Sequence, residues 1–106
     1  MITKKNKRLG IIYCIRHKEL KDSVIYIGST ILKLSIRLKF HRRDCRKRKG
    51  SKSLLYNTVK FYGGWDSFEC EVLESVEFID SYELRLKEFF YIKCYPHCLN
   101  MKKNLW

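Results

Sequence analysis

A chain of 106 residues has room for one compact domain with a modest core and none for a second domain. Apolar residues make up 45% of it, enough for a core, which argues against wholesale disorder. Lysine and arginine number 23 against 11 acids, and the net charge of +12 points to a polyanionic partner, nucleic acid first; an anionic membrane surface would require an amphipathic basic helix or a lipidation signal, and neither is seen.

Residues 1–8 read as a basic, flexible lead-in. Isoleucine and tyrosine enrich 9–16, and 24–28 is a second short apolar run beyond polar 18–23, so the pair predicts a hairpin with a long loop. Over 32–40, Leu32, Leu34, Ile36, Leu38 and Phe40 alternate with polar residues, a strand period on its face. The continuation does not alternate, lacks Gly and Pro and is rich in helix formers, so the reading is a helix over 34–48. A turn at 50–53 leads to a second helix over 54–62, with Leu55, Thr58, Val59 and Tyr62 at helical spacing, ended by Gly63 and Gly64. Phe68, Cys70 and Val72 alternate with Glu69 and Glu71 in a half-buried third strand. The last helix opens at Asp80, with Glu83 three residues on as a capping-box pair, and runs to Cys94 before Pro96. This order predicts an α+β fold over 1–106, a small three-stranded antiparallel sheet flanked by helices.

No apolar run approaches the roughly 18 residues of a membrane span, and the apolar stretch after the basic lead-in is too short for an export signal. Five cysteines, an odd number at irregular spacing, suggest reduced thiols and an intracellular setting, cytoplasm or nucleus. Cys94, His97 and Cys98 lack the paired-cysteine spacing of a zinc knuckle.

Ile11, Ile12 and Tyr13 on the first strand, and Tyr26, Ile27, Gly28 and Ser29 on the second, are followed in order by Arg37, His41, Glu88 and Asn100. Between them stand Phe61-Tyr62-Gly63, then the segment 68–74, then Glu88-Phe89-Phe90-Tyr91-Ile92. In these residues the chain resembles the GIY-YIG nucleases over roughly 9–103. The resemblance implies a DNA endonuclease that hydrolyses phosphodiesters with one divalent metal ion. Tyr13 would be the general base or water-orienting group, and Tyr26 a second hydroxyl for the phosphate. Glu88 would be the metal ligand, its hard oxygens suiting Mg²⁺ or Mn²⁺. Arg37 and His41, four residues apart, would lie on one helical face about 5 to 6 Å apart and share the phosphate. Asn100 would steady the site by hydrogen bonding and is grouped with the substrate-binding residues. Two positions depart from the family pattern. Ile11 stands where a glycine is common, with Gly10 one place earlier, and 50–53 holds no histidine, leaving Lys52 as a phosphate contact.

Taken singly, each residue has a plainer reading. Tyrosines in strands are usually packing, Arg37 and His41 fit a solvated helix face, and Asn100 fits a turn. Glu88 alone would be a surface acid or a partner for Lys87 or Arg85, with Glu83 the rival ligand. Their shared order carries the functional case. Lys39, Arg42, Arg43, Arg46 and Lys52 belong to a basic run that follows the phosphate pair directly and is expected to contact the DNA backbone. Cutting both strands from a single site would require a homodimer or a flip. The alternative is a catalytically silent nucleic-acid-binding module of the same fold.

Overall fold

The computed structural model describes residues 7–20, 23–45 and 53–100. Strands β1 (Arg8–His17) and β2 (Val24–Thr30) form the hairpin, followed by helices α1 (Leu34–Cys45) and α2 (Ser53–Phe61). A short 3-10 turn (Trp65–Ser67), strand β3 (Phe68–Phe78) and helix α3 (Ser81–Cys94) complete the order. The sheet is antiparallel throughout, with β1 in the middle of the order β2-β1-β3. The α+β fold with a three-stranded antiparallel sheet is therefore as the sequence predicts.

A strand covered on both faces must be apolar at successive positions, and β1 is: Ile12, Tyr13, Cys14 and Ile15 have no exposed surface. Ile12 and Cys14 join Ile27, Val76, Phe78, Leu84 and Ile92 in the core toward α3. Tyr13 and Ile15 join Cys45, Leu55, Tyr56, Val59 and Phe68 in a second core toward α1 and α2.

Strand β3 is longer than the sequence pattern predicts because a bulge hides its second half. Ile12 pairs with Glu74 but Tyr13 with Val72, so Leu73 is inserted between partners. One inserted residue turns every following side chain to the other face. Phe68 consequently packs toward α2, whereas Val76 and Phe78, of the same parity, pack toward α3.

Helix α1 shows why the alternation over 32–40 misleads. Its inward stripe is Leu34, Arg37, Leu38, His41 and Cys45, spaced by three and four, while Leu32 and Ile36 are exposed. The described helix ends at Cys45; the predicted stretch 46–48 lies outside the described residues. Helix α3 has the predicted capping box, with Asp80 accepting from Tyr82 N and Glu83 accepting from Asp80 N. Helix α2 stops at Gly63 and Gly64, both at positive φ, where a side chain would be strained. None of the helices among the described residues is long and apolar enough to cross a membrane.

Candidate active site

The two named strands set Tyr13 beside Gly28, its direct partner across the β1–β2 ladder. The ring of Tyr13 lies over that glycine so closely that a Cβ there would sit 2.4 Å from the phenol carbon and oxygen. Gly28 is thus the floor on which Tyr13 rests. The tail holds this floor in place: Leu99 N donates to Ile25 O at 2.7 Å, and Asn100 pairs with Ile27 through both N–H and C=O, at 3.0 and 2.6 Å. An amide side chain matches a peptide group in this way, donor to acceptor and acceptor to donor. Both of these Asn100 hydrogen bonds thus go to the backbone beside Gly28.

The Tyr13 hydroxyl meets His41 Nε2 at 2.7 Å, and His41 Nδ1 meets the Tyr56 hydroxyl at 3.0 Å. His41 has no exposed surface. The rings of Tyr13, Tyr26, Tyr56 and Trp65 surround it with centroids 5.8 to 6.0 Å away. A basic run suggests a solvated histidine sharing Arg37's phosphate; helical spacing instead turns His41 inward onto two phenols.

Burial pushes the Tyr13 phenol up to about 12, against the opposing charge and hydrogen bond of Arg37 and with a smaller upward push from Glu88. Burial likewise raises Tyr26, with Tyr13 and Glu88 adding to the shift and Arg37 opposing it. Arg37 and Glu88 thus both bear on the titration of these two phenols, Arg37 from the α1 face of the sheet and Glu88 from the α3 face. Glu88 Oε1 accepts from Ser29 Oγ at 3.1 Å, which ties the carboxylate to the edge strand β2 one residue past Gly28. The rival acid, Glu83, is committed to its cap, and Lys87 pairs with Glu74 at 3.2 Å.

Alkaline titration gives a direct check on these buried phenols. A phenol whose folded value is raised favours folding fully below its ordinary value near 10 and loses that contribution as pH climbs toward about 12. For Tyr13 the loss is at most about 3 kcal/mol. Cys70 and Tyr56, both pushed up to about 12 mainly by burial, act in the same sense. Phenolate absorbance from the buried tyrosines should therefore rise together with loss of far-UV dichroism. Ionisation of all seven tyrosines near pH 10 in a folded chain would contradict it.

Lys39, Arg42 and Arg43 are exposed on α1, away from its inward stripe. Arg43 stacks on Phe40 at 4.8 Å and reaches Asp44 at 3.4 Å. Arg42 and Lys60 line one open pocket beside Trp65. Arg46 and Lys52 lie outside the described residues. Tyr56 and Ser29 are site neighbours to which the sequence gives no role, and Trp65, which beside Gly63 and Gly64 reads as a turn-capping aromatic, is a third. Tyr56 could have been found as the aromatic member of the inward set Leu55, Tyr56 and Val59 on α2. The indole Nε1 of Trp65 is buried without a hydrogen-bond partner among the described residues.

Comparison with known proteins agrees with the family resemblance read from the sequence. The family described as the GIY-YIG catalytic domain matches residues 9–91. A protein of Invertebrate iridescent virus 6, described as MSV199 domain-containing protein 146R, is 38% identical over 88 residues. That alignment covers 83% of this chain and 34% of the viral protein, so the chain spans about a third of its relative's length. No solved structure matches. With the family's domain extending over most of its length, the chain belongs to the GIY-YIG nuclease family.

Proposed function

We propose that this chain is a divalent-metal-dependent DNA endonuclease domain in which Tyr13 is the general base, His41 its proton acceptor, Arg37 the phosphate clamp and Glu88 the metal ligand. The observation that carries this reading is the 2.7 Å contact between the Tyr13 hydroxyl and His41 Nε2, made where Arg37 and Glu88 both bear on the titration of the same phenol. A phenol held at about 12 is ionised in only roughly one molecule in 10⁵ at neutral pH. Tyr13 can therefore act as a base only by handing its proton on, and His41 Nε2 is in place to take it.

The substrate phosphate draws the Arg37 guanidinium onto a non-bridging oxygen and off the Tyr13 hydroxyl, which opens the hydroxyl to water. A water O–H bond then breaks, its proton going to the Tyr13 oxygen as the Tyr13 proton moves to His41 Nε2. The water oxygen bonds to phosphorus, and the bond from phosphorus to the leaving sugar oxygen breaks. That oxygen takes a proton from solvent. Tyr26 adds a second hydroxyl near the phosphate, while Asn100 keeps the Gly28 floor in position.

Among the described residues, no group of three or more His, Cys, Asp or Glu side chains is gathered to hold a metal. A lone carboxylate still fits Mg²⁺ or Mn²⁺, which keep most of their coordination in water and substrate oxygens, and does not fit a closed zinc site. When bound at Glu88, such an ion supplies charge stabilisation to the phosphoryl and leaving oxygens.

The basic face of α1 supports DNA as the substrate, held through phosphates without base selectivity. Affinity of the isolated domain is expected at roughly 10⁻⁴ to 10⁻⁶ M. Replacing Lys39, Arg42 or Arg43 by Ala should weaken binding to all sequences alike. Each lost phosphate contact should flatten the slope of log affinity against log salt by about 0.9. Filter binding over a salt series reads this directly, and an unchanged slope in all three variants would remove the basic face from the interface.

A second reading, a catalytically silent binding module, draws on the absence of exposed surface at Tyr13 and His41. Incubating supercoiled plasmid with the chain and Mg²⁺ or Mn²⁺ separates the two. Relaxed or linear product that EDTA suppresses supports the nuclease; binding without product in either metal supports the silent module. Linear product formed without accumulation of the nicked form would indicate a homodimer.

A further inference from the structure

We propose that Ser29 is a positioning residue for the metal ligand: its hydroxyl holds the Glu88 carboxylate in one orientation, and the affinity of the site for Mg²⁺ or Mn²⁺ depends on it. The inference rests on the nuclease reading above for the ion, and on the packing of α3 against β2 for the role of Ser29.

Helix α3 is docked on the sheet by Leu84 and Ile92, both buried in the core with Ile12 and Ile27. Glu88 lies midway between them, four residues from each, so the helical repeat places it in the same inward stripe. An apolar residue there would extend the core, whereas a half-buried carboxylate costs desolvation and needs donors. Ser29 supplies one. The ladder sets it opposite Ile12, whose side chain points into the α3 core, and residues directly opposite in an antiparallel pair share a face. The Ser29 hydroxyl therefore emerges beneath α3, 3.1 Å from Glu88 Oε1. An ionised carboxylate only accepts, so the direction of this bond is fixed: Ser29 Oγ–H donates to Oε1.

Docking alone does not call for this pair, because Leu84 and Ile92 hold α3 one turn before and one turn after it. What the bond adds is orientation. A glutamate rotates about each bond of its long side chain, and a cation held by one carboxylate takes its remaining ligands from water and substrate. The protein's share of the affinity then depends on how well that carboxylate is held. The Ser29 bond uses one of about four acceptor sites on the carboxylate and stops its rotation. The next rung of the ladder pairs Gly28 with Tyr13 on the other face of the sheet. Adjacent residues of β2 thus set the two halves of the site, Gly28 as the floor of Tyr13 and Ser29 as the stay of Glu88.

The test titrates Mn²⁺ into the full ¹⁵N-labelled chain without DNA and follows paramagnetic broadening of the backbone amides flanking Glu88, alongside plasmid cleavage over a Mn²⁺ series. Wild type should broaden there, and Glu88→Ala should not at the same concentrations. Ser29→Ala, which removes one oxygen, should need about 10- to 100-fold more Mn²⁺ for half-broadening. Its half-saturating Mn²⁺ for cleavage should rise by the same factor, with the maximal rate within about threefold of wild type. Ser29→Thr, which keeps the hydroxyl, should restore the Mn²⁺ response to within about threefold. A Ser29→Ala chain with a lower melting temperature and the wild-type Mn²⁺ response marks the bond as merely structural and overturns the proposal, leaving the nuclease reading intact if wild type cuts. Absence of broadening around Glu88 in wild type overturns it as well. A wild type that binds Mn²⁺ in the expected Ser29-dependent way yet never cleaves supports the positioning role and sinks the nuclease reading instead.

Discussion

Tyr13→Phe should lower the rate of plasmid cleavage by about 10² to 10⁴-fold while leaving DNA affinity nearly unchanged. That is the range a positioned general base contributes. The substitution keeps the ring on Gly28 and removes only the hydroxyl that meets His41 Nε2 at 2.7 Å. Losing that buried hydrogen bond costs about 1 kcal/mol of stability. The chain should therefore stay folded, with a lower melting temperature and almost no turnover. A Tyr13→Phe chain that cuts at the wild-type rate would show that water is activated by some other group.

Gly28→Ala should be more damaging than its single methyl suggests. The new Cβ would lie 2.4 Å from the Tyr13 phenol carbon and oxygen and 2.8 Å from a third ring atom, distances no relaxed structure tolerates. A rigid ring packed in a core cannot swing aside as a flexible chain end would, so β2 or Tyr13 must move. Overpacking of this kind costs about 1 to 3 kcal/mol. The displaced hydroxyl also loses His41, so cleavage should fall at least as far as in Tyr13→Phe. Thermal melts and plasmid assays on both variants check this order. Gly28→Ala with wild-type stability would mean that the ring does not rest on the glycine.

The fold was legible where one local rule decided each element. Asp80 and Glu83 announce the start of α3, and the gap-free charged stretch after Leu34 outweighs the alternation that mimics a strand. The second half of β3 was not legible, because the bulge at Leu73 switches faces without changing the sequence parity of Val76 and Phe78. The ordered set Tyr13, Tyr26, Arg37, His41 and Glu88 could be read as a family pattern, yet its geometry could not. Residue type in a basic run suggests a solvated His41, and only packing against α2 and the Trp65 turn shows it enclosed. Tyr56 and Asn100 act through contacts 15 and 73 residues away in sequence, which no periodicity encodes.

The account stands on convergence: Arg37 from α1 and Glu88 from α3 must serve one phosphate held at Tyr13. Plasmid cleavage in Mg²⁺ by wild type, Glu88→Ala and Arg37→Ala, with binding followed in parallel by gel shift, tests it most directly. Wild type should cut, and each variant should bind DNA within a few-fold of wild type yet cleave about 10²- to 10³-fold more slowly or not at all. Undiminished cutting by either variant would mean that the two side chains do not act on a common reacting centre.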